Sequence, residues 1–275
     1  MTINCKGELI DLNTPRVMGI LNLTPDSFYD GGSYKNEEAI ISRTKQMLDE
    51  GADFIDIGGY SSRPGADDVT VEEELRRTVS VTRLLTDHFP GIRISIDTFR
   101  AEVAHANVEA GAAMVNDISS GRLDDDMLKT VGQLKVPYIM MHMRGTPQTM
   151  KQLTDYKDLL REMTYYFSER IAAARDQKIN DMIIDPGFGF AKTIDQNFYL
   201  LKHLKDLHII DRPVLAGISR KSMIHKTLET TAAEALNGTT CLNTIALMHG
   251  AHILRVHDVR PAVECVKLIS RMKGR

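Results

Sequence analysis

Val17-Met-Gly-Ile-Leu-Asn-Leu23 is an apolar run broken only near its end by an asparagine. It gives way to Thr24-Pro25-Asp26-Ser27-Phe28, where no strand can continue. The pattern recurs in Phe54-Ile-Asp-Ile-Gly-Gly59, Ile94-Ser-Ile-Asp97, Met114-Val-Asn-Asp117 and Tyr138-Ile-Met-Met-His142. It returns in Ile183-Ile-Asp-Pro-Gly187, Val214-Leu-Ala-Gly-Ile-Ser219 and Ile253-Leu-Arg-Val-His-Asp258. Strands buried on both faces read as near-continuous apolar runs. Strands alternating with helix-like stretches imply right-handed crossovers and a parallel sheet. Eight units favour closure into a (β/α)8 TIM barrel, which gathers the polar strand ends at one face. An open doubly wound sheet is the competing arrangement.

The stretches between the runs carry helix signals. Residues 37–49 set Ala39, Ile40, Ile41, Thr44, Met47 and Leu48 near a 3.6 period, and Gly51 stops them. Thr70 and Glu73 have capping-box spacing, for a helix running through Leu84 and Leu85. Residues 126–134 read as a shorter helix that ends before Pro137. Further helices are expected over 155–177, 195–207, 232–248 and 261–272. Residues 2–12 read as a hairpin turning at Lys6-Gly7, placed to cap the bottom of the barrel. Residues 24–33, 61–68 and 144–150 are polar and rich in Gly and Pro, and follow runs one, two and five. Long loops after barrel strands are where such folds build sites and lids.

The chain has 275 residues, 43% of them hydrophobic and 26% charged. One barrel of about 250 residues uses nearly all of it, so residues 1–275 are expected to form a single domain. The net charge of −3 argues against a nucleic-acid or membrane-surface partner. No apolar run approaches the roughly 20 residues of a membrane span. Cys5, Cys241 and Cys265 are odd in number and widely spaced, which fits no metal pattern and suits a reducing compartment. With no apolar signal-peptide core at the start, the expected location is the cytoplasm.

Arg255 and His257 are two apart on a strand and so share a face. Together at a barrel mouth they make an anion site. Asn22 ends the neighbouring strand once the barrel closes, and can bind a phosphate oxygen or a metal. Asp56, Asp97 and Asp185 each read as ending a strand, and Asn116 ends a fourth. Asp185 with Asn116 suits the donor edge of an amino-pyrimidinone. The competing structural reading is that these aspartates cap helices or pair with Arg or Lys, and for Asp56 the two weigh equally. Lys221 is a surface lysine, a Schiff-base lysine as in barrel aldolases, or a donor to a polar ring. Ser222 stands where a helix begins and could present N–H groups to an anion. Met140 and His142 are compatible with a pocket wall, although such residues are more often core.

Gly19-Ile-Leu-Asn22-Leu-Thr-Pro-Asp26-Ser-Phe28-Tyr-Asp30-Gly-Gly32 closely resembles the first signature of the dihydropteroate synthase family. Gly58-Gly-Tyr-Ser-Ser62-Arg-Pro-Gly65 resembles the family's second loop. Ser95-Ile-Asp97-Thr, Val115-Asn116-Asp117, Met140-Met-His-Met-Arg-Gly-Thr-Pro147, Asp185-Pro-Gly-Phe-Gly-Phe-Ala-Lys192, Ser219-Arg-Lys221-Ser222 and Arg255-Val-His257-Asp follow in family order.

The resemblance implies a folate-biosynthesis enzyme. It would join (7,8-dihydropterin-6-yl)methyl diphosphate to 4-aminobenzoate, giving 7,8-dihydropteroate and diphosphate. It also implies Mg²⁺ as cofactor, sensitivity to sulfonamides and a homodimer. Residue by residue, Asp97, Asn116, Asp185 and Lys221 would hold the pterin, with Met140 packed on it. Asn22, Arg255 and His257 would hold the diphosphate, Asn22 beside the metal. Phe28, Ser62, Arg63 and Pro64 would lie on loops over the reacting centre, and Phe190, Lys221 and Ser222 would form the aminobenzoate site. Catalytic parts would fall to Asp97, Lys221, Arg63 and Asp30.

The expected reaction is a dissociative substitution, with Asp97 stabilising a cationic methylene through the ring. A pterin-dependent corrinoid methyltransferase would share the pterin residues but need no anion set. A pterin carrier would release no diphosphate. The second loop of the family usually reads Glu-Ser-Thr-Arg-Pro, where this chain has Tyr60-Ser61-Ser62-Arg63-Pro64.

Overall fold

A computed structural model describes residues 1–23, 34–60 and 69–274. It opens with strands β1 (Thr2–Cys5) and β2 (Glu8–Asp11), paired antiparallel. Lys6 and Gly7 at the turn both have positive φ, 53° and 85°. That geometry matches the twist of two-residue hairpins. Ile3, Cys5, Ile10 and Leu12 bury their side chains with Met18, Phe54, Met114, Ile139, Ile183, Leu215 and Ile253. The hairpin therefore closes the barrel floor, as the sequence suggests.

Eight parallel strands follow: β3 (Arg16–Asn22), β4 (Phe54–Gly58), β5 (Ile94–Asp97), β6 (Met114–Asp117), β7 (Tyr138–Met141), β8 (Met182–Asp185), β9 (Leu215–Ala216) and β10 (Ile253–Val256). Their order is β8-β7-β6-β5-β4-β3-β10-β9. A parallel bridge between Ile184 and Val214 joins the two ends. The sheet is a nearly closed barrel, not an open doubly wound one. In-register partners point to the same side, so the pairs Met18–Phe54, Asp56–Ser95, Asp97–Asn116, Asn116–Ile139 and Met141–Asp185 mark the inward set.

Helices α1 (Tyr34–Asp49), α2 (Val71–His88), α3 (Ala101–Glu109), α4 (Met127–Leu134), α5 (Leu159–Asp176), α6 (Ile194–Lys202), α7 (Ser222–His225), α8 (Leu236–Met248) and α9 (Val259–Met272) surround it. Helix α3 carries no side-chain cap at Arg100, so nothing in the sequence announces it. Thr70 caps α2 by accepting from Glu73 N, but the Glu73 carboxylate turns to Arg76 and Arg77, leaving the box half formed. The complete capping box lies at Thr193 and Gln196, which open α6. Helix α8 starts four residues later than expected, and the Ala232 and Ala233 carbonyls before it accept from Arg220. Val266 and Ile269 of α9 are buried core, whereas Met248, Leu268 and Met272 are exposed. Among the described residues no helix is long and apolar enough to cross a membrane.

Candidate active site

The inward alternation of β4, β5, β6, β8 and β10 brings Asp56, Asp97, Asn116, Asp185 and Arg255 into one cluster at the upper end of the barrel. Arg255 is its hub. Its Nε donates to Asp56 Oδ2 at 2.6 Å and its Nη2 to Asp97 Oδ2 at 2.7 Å. Asn116 Nδ2 donates to the same Asp56 oxygen at 3.1 Å. Asp56 lies in the middle of β4 and is fully buried, so it does not end the strand as the sequence reading had it. Its partners make it the support of Arg255 and Asn116, in line with the pairing alternative.

Asn22 and Asp97 meet over Gly58, where an added Cβ would lie 3.7 Å from both Asn22 Oδ1 and Asp97 Oδ2. Asp185 Oδ1 accepts from Gly187 N at 2.7 Å. Lys221 reaches across from the loop after β9, donates to the Phe188 carbonyl, and sets its ammonium 4.6 Å from the Phe190 ring centre. His257 leans on Ser219: its backbone N–H donates to Ser219 Oγ at 3.2 Å, and Nδ1 lies 3.0 Å from the same hydroxyl. The serine hydrogen is then available to Nδ1, which favours a proton on Nε2.

Burial shapes the charges. It pushes the Asp97 carboxyl up to about 7, against the pull of Arg255. It also raises Asp185, against the attraction of Lys221. Burial lowers Lys221 to about 8, with Asp185 opposing. Arg255 stays above its ordinary range because Asp56 and Asp97 outweigh the cost of its burial. The site thus presents paired carboxylates and cations in an enclosed setting. Such a setting recognises a ring with N–H donors and an attached anion.

Comparison with known proteins agrees with this geometry. The family model described as "Pterin binding enzyme" matches residues 18–257. A dihydropteroate synthase from Synechocystis is 47% identical over 257 residues, covering 92% of this chain and 88% of the relative. The dihydropteroate synthase of Escherichia coli is 40% identical over 271 residues, covering 98% and 95%. The chain belongs to the dihydropteroate synthase family. A Yersinia pestis dihydropteroate synthase, solved in complex with a sulfonamide drug, superposes with a TM-score of 0.94 at 39% identity, with 100% of both chains covered.

Within this dihydropteroate synthase fold, one expected wall residue is displaced. Met140 faces outward and packs with Tyr138 and Ile184 in the layer between strands and helices. Met141 takes the inward side beside Asp185 and packs with Met143, Met150 and Phe190. The motif Met140-Met-His-Met offers several methionines, and its register is fixed only by Ile139, which points to the barrel floor. Which residue of β7 enters the floor is set by the tertiary packing, so the sequence alone carried no signal for Met141.

Ser222 opens α7, which is a single turn, so an anion there would meet a hydroxyl and a few N–H groups rather than a long helix dipole. Phe28, Asp30, Ser62, Arg63 and Pro64 lie outside the described residues. Tyr60, at the base of the second loop, packs edge-on to Phe99 at 5.2 Å and lies under the Arg100 guanidinium at 5.7 Å. Its hydroxyl accepts from Gln148 at 3.2 Å. Among the described residues no group of three or more His, Cys, Asp or Glu is placed to hold a metal.

Proposed function

We propose that this chain is a dihydropteroate synthase. It condenses (7,8-dihydropterin-6-yl)methyl diphosphate with 4-aminobenzoate to 7,8-dihydropteroate and diphosphate. The observation that carries the reading is the Arg255 hub: one guanidinium ties Asp97 and Asp56 together, and Asn116 shares the Asp56 oxygen.

On this reading Asn116 and Asp185 hold the donor edge of the pterin, Asp97 lies beside the ring, and Met141 packs on its face. Lys221 closes the ring site from the β9 side and borders the aminobenzoate pocket with Phe190 and Ser222. The His257 Nε2–H and the Arg255 Nη1, which the two carboxylates do not engage, serve the diphosphate. Phe28, Asp30, Ser62, Arg63 and Pro64 belong to the covering loops. As the C–O bond to the diphosphate breaks, positive charge on the methylene spreads into the ring, and the Asp97 carboxylate stabilises it. The neutral amine of aminobenzoate attacks and needs no strong base. Excluding water protects the cation from hydrolysis.

Mg²⁺ fits the donor set in a limited way. Asn22 Oδ1 is a hard oxygen beside Gly58, whereas the nearby Asp97 Oδ2 is already taken by Arg255. Asn22 would therefore be a ligand, with substrate and water supplying the others. The bound ion would offset charge on the departing diphosphate. We further propose a cytoplasmic homodimer that covers the exposed Met248, Leu268 and Met272 of α8 and α9.

Diphosphate release, measured with both substrates and with each omitted in turn, tests the function. Release is expected only when both are present. Release at an equal rate without aminobenzoate would point to a hydrolase, and binding without release would favour a carrier.

A further inference from the structure

Lys192 ends the motif Asp185-Pro-Gly-Phe-Gly-Phe-Ala-Lys192 and has no part in the scheme above. It is only 8% exposed. A buried ammonium must find acceptors for all its hydrogens. Lys192 Nζ donates to the Gly187 carbonyl at 3.0 Å and to the Phe190 carbonyl at 3.0 Å, and lies 3.1 Å from His142 Nδ1. Burial lowers Lys192 to about 7, with Asp185 opposing, and the two carbonyl contacts are served by the ammonium and by the neutral amine alike, since both carry at least two N–H donors. His142 is itself buried, and burial together with the Lys192 charge holds its pKa well below the ordinary range. The ring is therefore neutral and can accept at Nδ1.

The backbone between these contacts is tightly wound. Gly187, Gly189 and Ala191 all have positive φ, at 69°, 82° and 47°. A Cβ on Gly187 would collide with the His142 carbonyl, so the turn rests directly on the end of β7. The Gly187 and Phe190 carbonyls go to Lys192, while the Phe188 carbonyl between them accepts from Lys221. Tyr156 donates to the Ala191 carbonyl at 2.9 Å, and Asn197 accepts from Gly189 N at 2.7 Å. The turn is also closed by Phe190 N donating to the Gly187 carbonyl at 3.1 Å, and Lys192 adds a side-chain grip on the carbonyls at both of its ends.

We infer that Lys192 is a positioning residue for the aminobenzoate pocket: by holding the Gly187 and Phe190 carbonyls together it sets the place of the Phe190 ring without touching either substrate. The inference rests on the reading of Phe190 as a wall of that pocket. Lys192→Met keeps the stem and removes the donors. Lys192→Gln keeps two N–H donors for the two carbonyls.

The test is steady-state kinetics of wild type and both variants, with calorimetric binding of 6-hydroxymethyl-7,8-dihydropterin. Lys192→Met should raise KM for 4-aminobenzoate about tenfold or more while pterin-alcohol affinity stays within about threefold. Lys192→Gln should recover most of the loss. An unchanged KM in a folded Met variant, or an equal loss for pterin, overturns the inference. Should Lys192→Met fail to fold, Lys192→Leu decides: it too removes the donors to the Gly187 and Phe190 carbonyls, and an unaltered aminobenzoate KM there also overturns the inference. Wild-type enzyme that releases no diphosphate would instead overturn the synthase reading.

Discussion

Asp56 Oδ2 lies 2.6 Å from Arg255 Nε, and this contact makes a fully buried carboxylate the anchor of the arginine. The guanidinium then reaches Asp97 with its other edge. The arginine therefore supports the ring end of the site as well as facing the anion. Among the described residues the hydrogen-bond partners of Asp56 are Arg255 and Asn116, which fits internal support.

Arg255→Ala should weaken both the diphosphate substrate and the free pterin, because it leaves Asp56 and Asp97 without their cation. Removing one member of a buried pair costs about 3–5 kcal/mol, so a loss of thermal stability is expected too. His257→Ala should weaken only the diphosphate substrate. Calorimetry with the two ligands checks this. A pterin affinity untouched by Arg255→Ala would contradict the hub.

The pH profile of kcat/KM should be narrow. Asp97 must be a carboxylate to stabilise the cation, and its carboxyl is raised to about 7, so activity falls as pH drops through that value. Lys221 acts as an ammonium and is lowered to about 8, so activity falls again as pH rises through that value. The profile of kcat/KM reports groups of the free enzyme. Lys221→Arg, which cannot deprotonate in this range, should remove the alkaline limb even if it slows the enzyme. A flat profile between pH 6 and 9 would exclude both roles.

Met141→Ala and Met140→Ala should differ in kind. Truncating Met141 should cut pterin affinity by about 1–3 kcal/mol, because it lies inward beside Asp185. Truncating Met140 opens a cavity among core side chains and should lower stability by about 2–5 kcal/mol, with pterin affinity kept. Thermal melts and pterin calorimetry on the two variants separate the outcomes, and a reversed pattern would reverse the assignment.

Removing divalent metal should abolish condensation, with Mg²⁺ restoring it. The chain offers Asn22 and few carboxylates at the anion end, so affinity for Mg²⁺ should be weak without the diphosphate substrate and stronger with it. Titrations with and without that substrate measure the difference. Full activity after thorough chelation would remove the metal from the scheme.

Sulfonamides should compete with 4-aminobenzoate, since they present an aniline of similar shape with an anionic end toward Ser222. Ser62 stands where the family usually has threonine, and one methyl in a pocket is worth about 1 kcal/mol. Ser62→Thr should therefore change the ratio of drug to substrate affinity by less than about tenfold. Inhibition that aminobenzoate cannot relieve would refute a shared site.

The barrel was legible because the strands read as near-continuous apolar runs, as buried parallel strands do. The hairpin was legible from Lys6-Gly7. Helix α3 was not, since Arg100 gives no capping signal and its alanines show little periodicity. At the site, the positions of Asp97, Asn116, Asp185 and Arg255 follow from strand parity. The inward place of Met141 was not legible, because the parity of β7 depends on which residue enters the floor, a tertiary fact. Asp56 was misplaced because Ile57 and Gly58 prolong β4 beyond it, and the glycine has no side chain to mark the end. The Lys192 clamp was invisible, because backbone carbonyls leave no trace in a sequence.

The barrel ends meet between β8 and β9 through one bridge, Ile184 to Val214, next to a strand of only two residues. Asp185 stands on one lip of that joint and Lys221 follows the other. A ligand held by both would act as a stitch across the least-paired gap in the wall. Occupancy should then slow amide exchange around Val214 more than at the fully paired β3–β4 ladder, coupling substrate capture to the mechanical integrity of the scaffold.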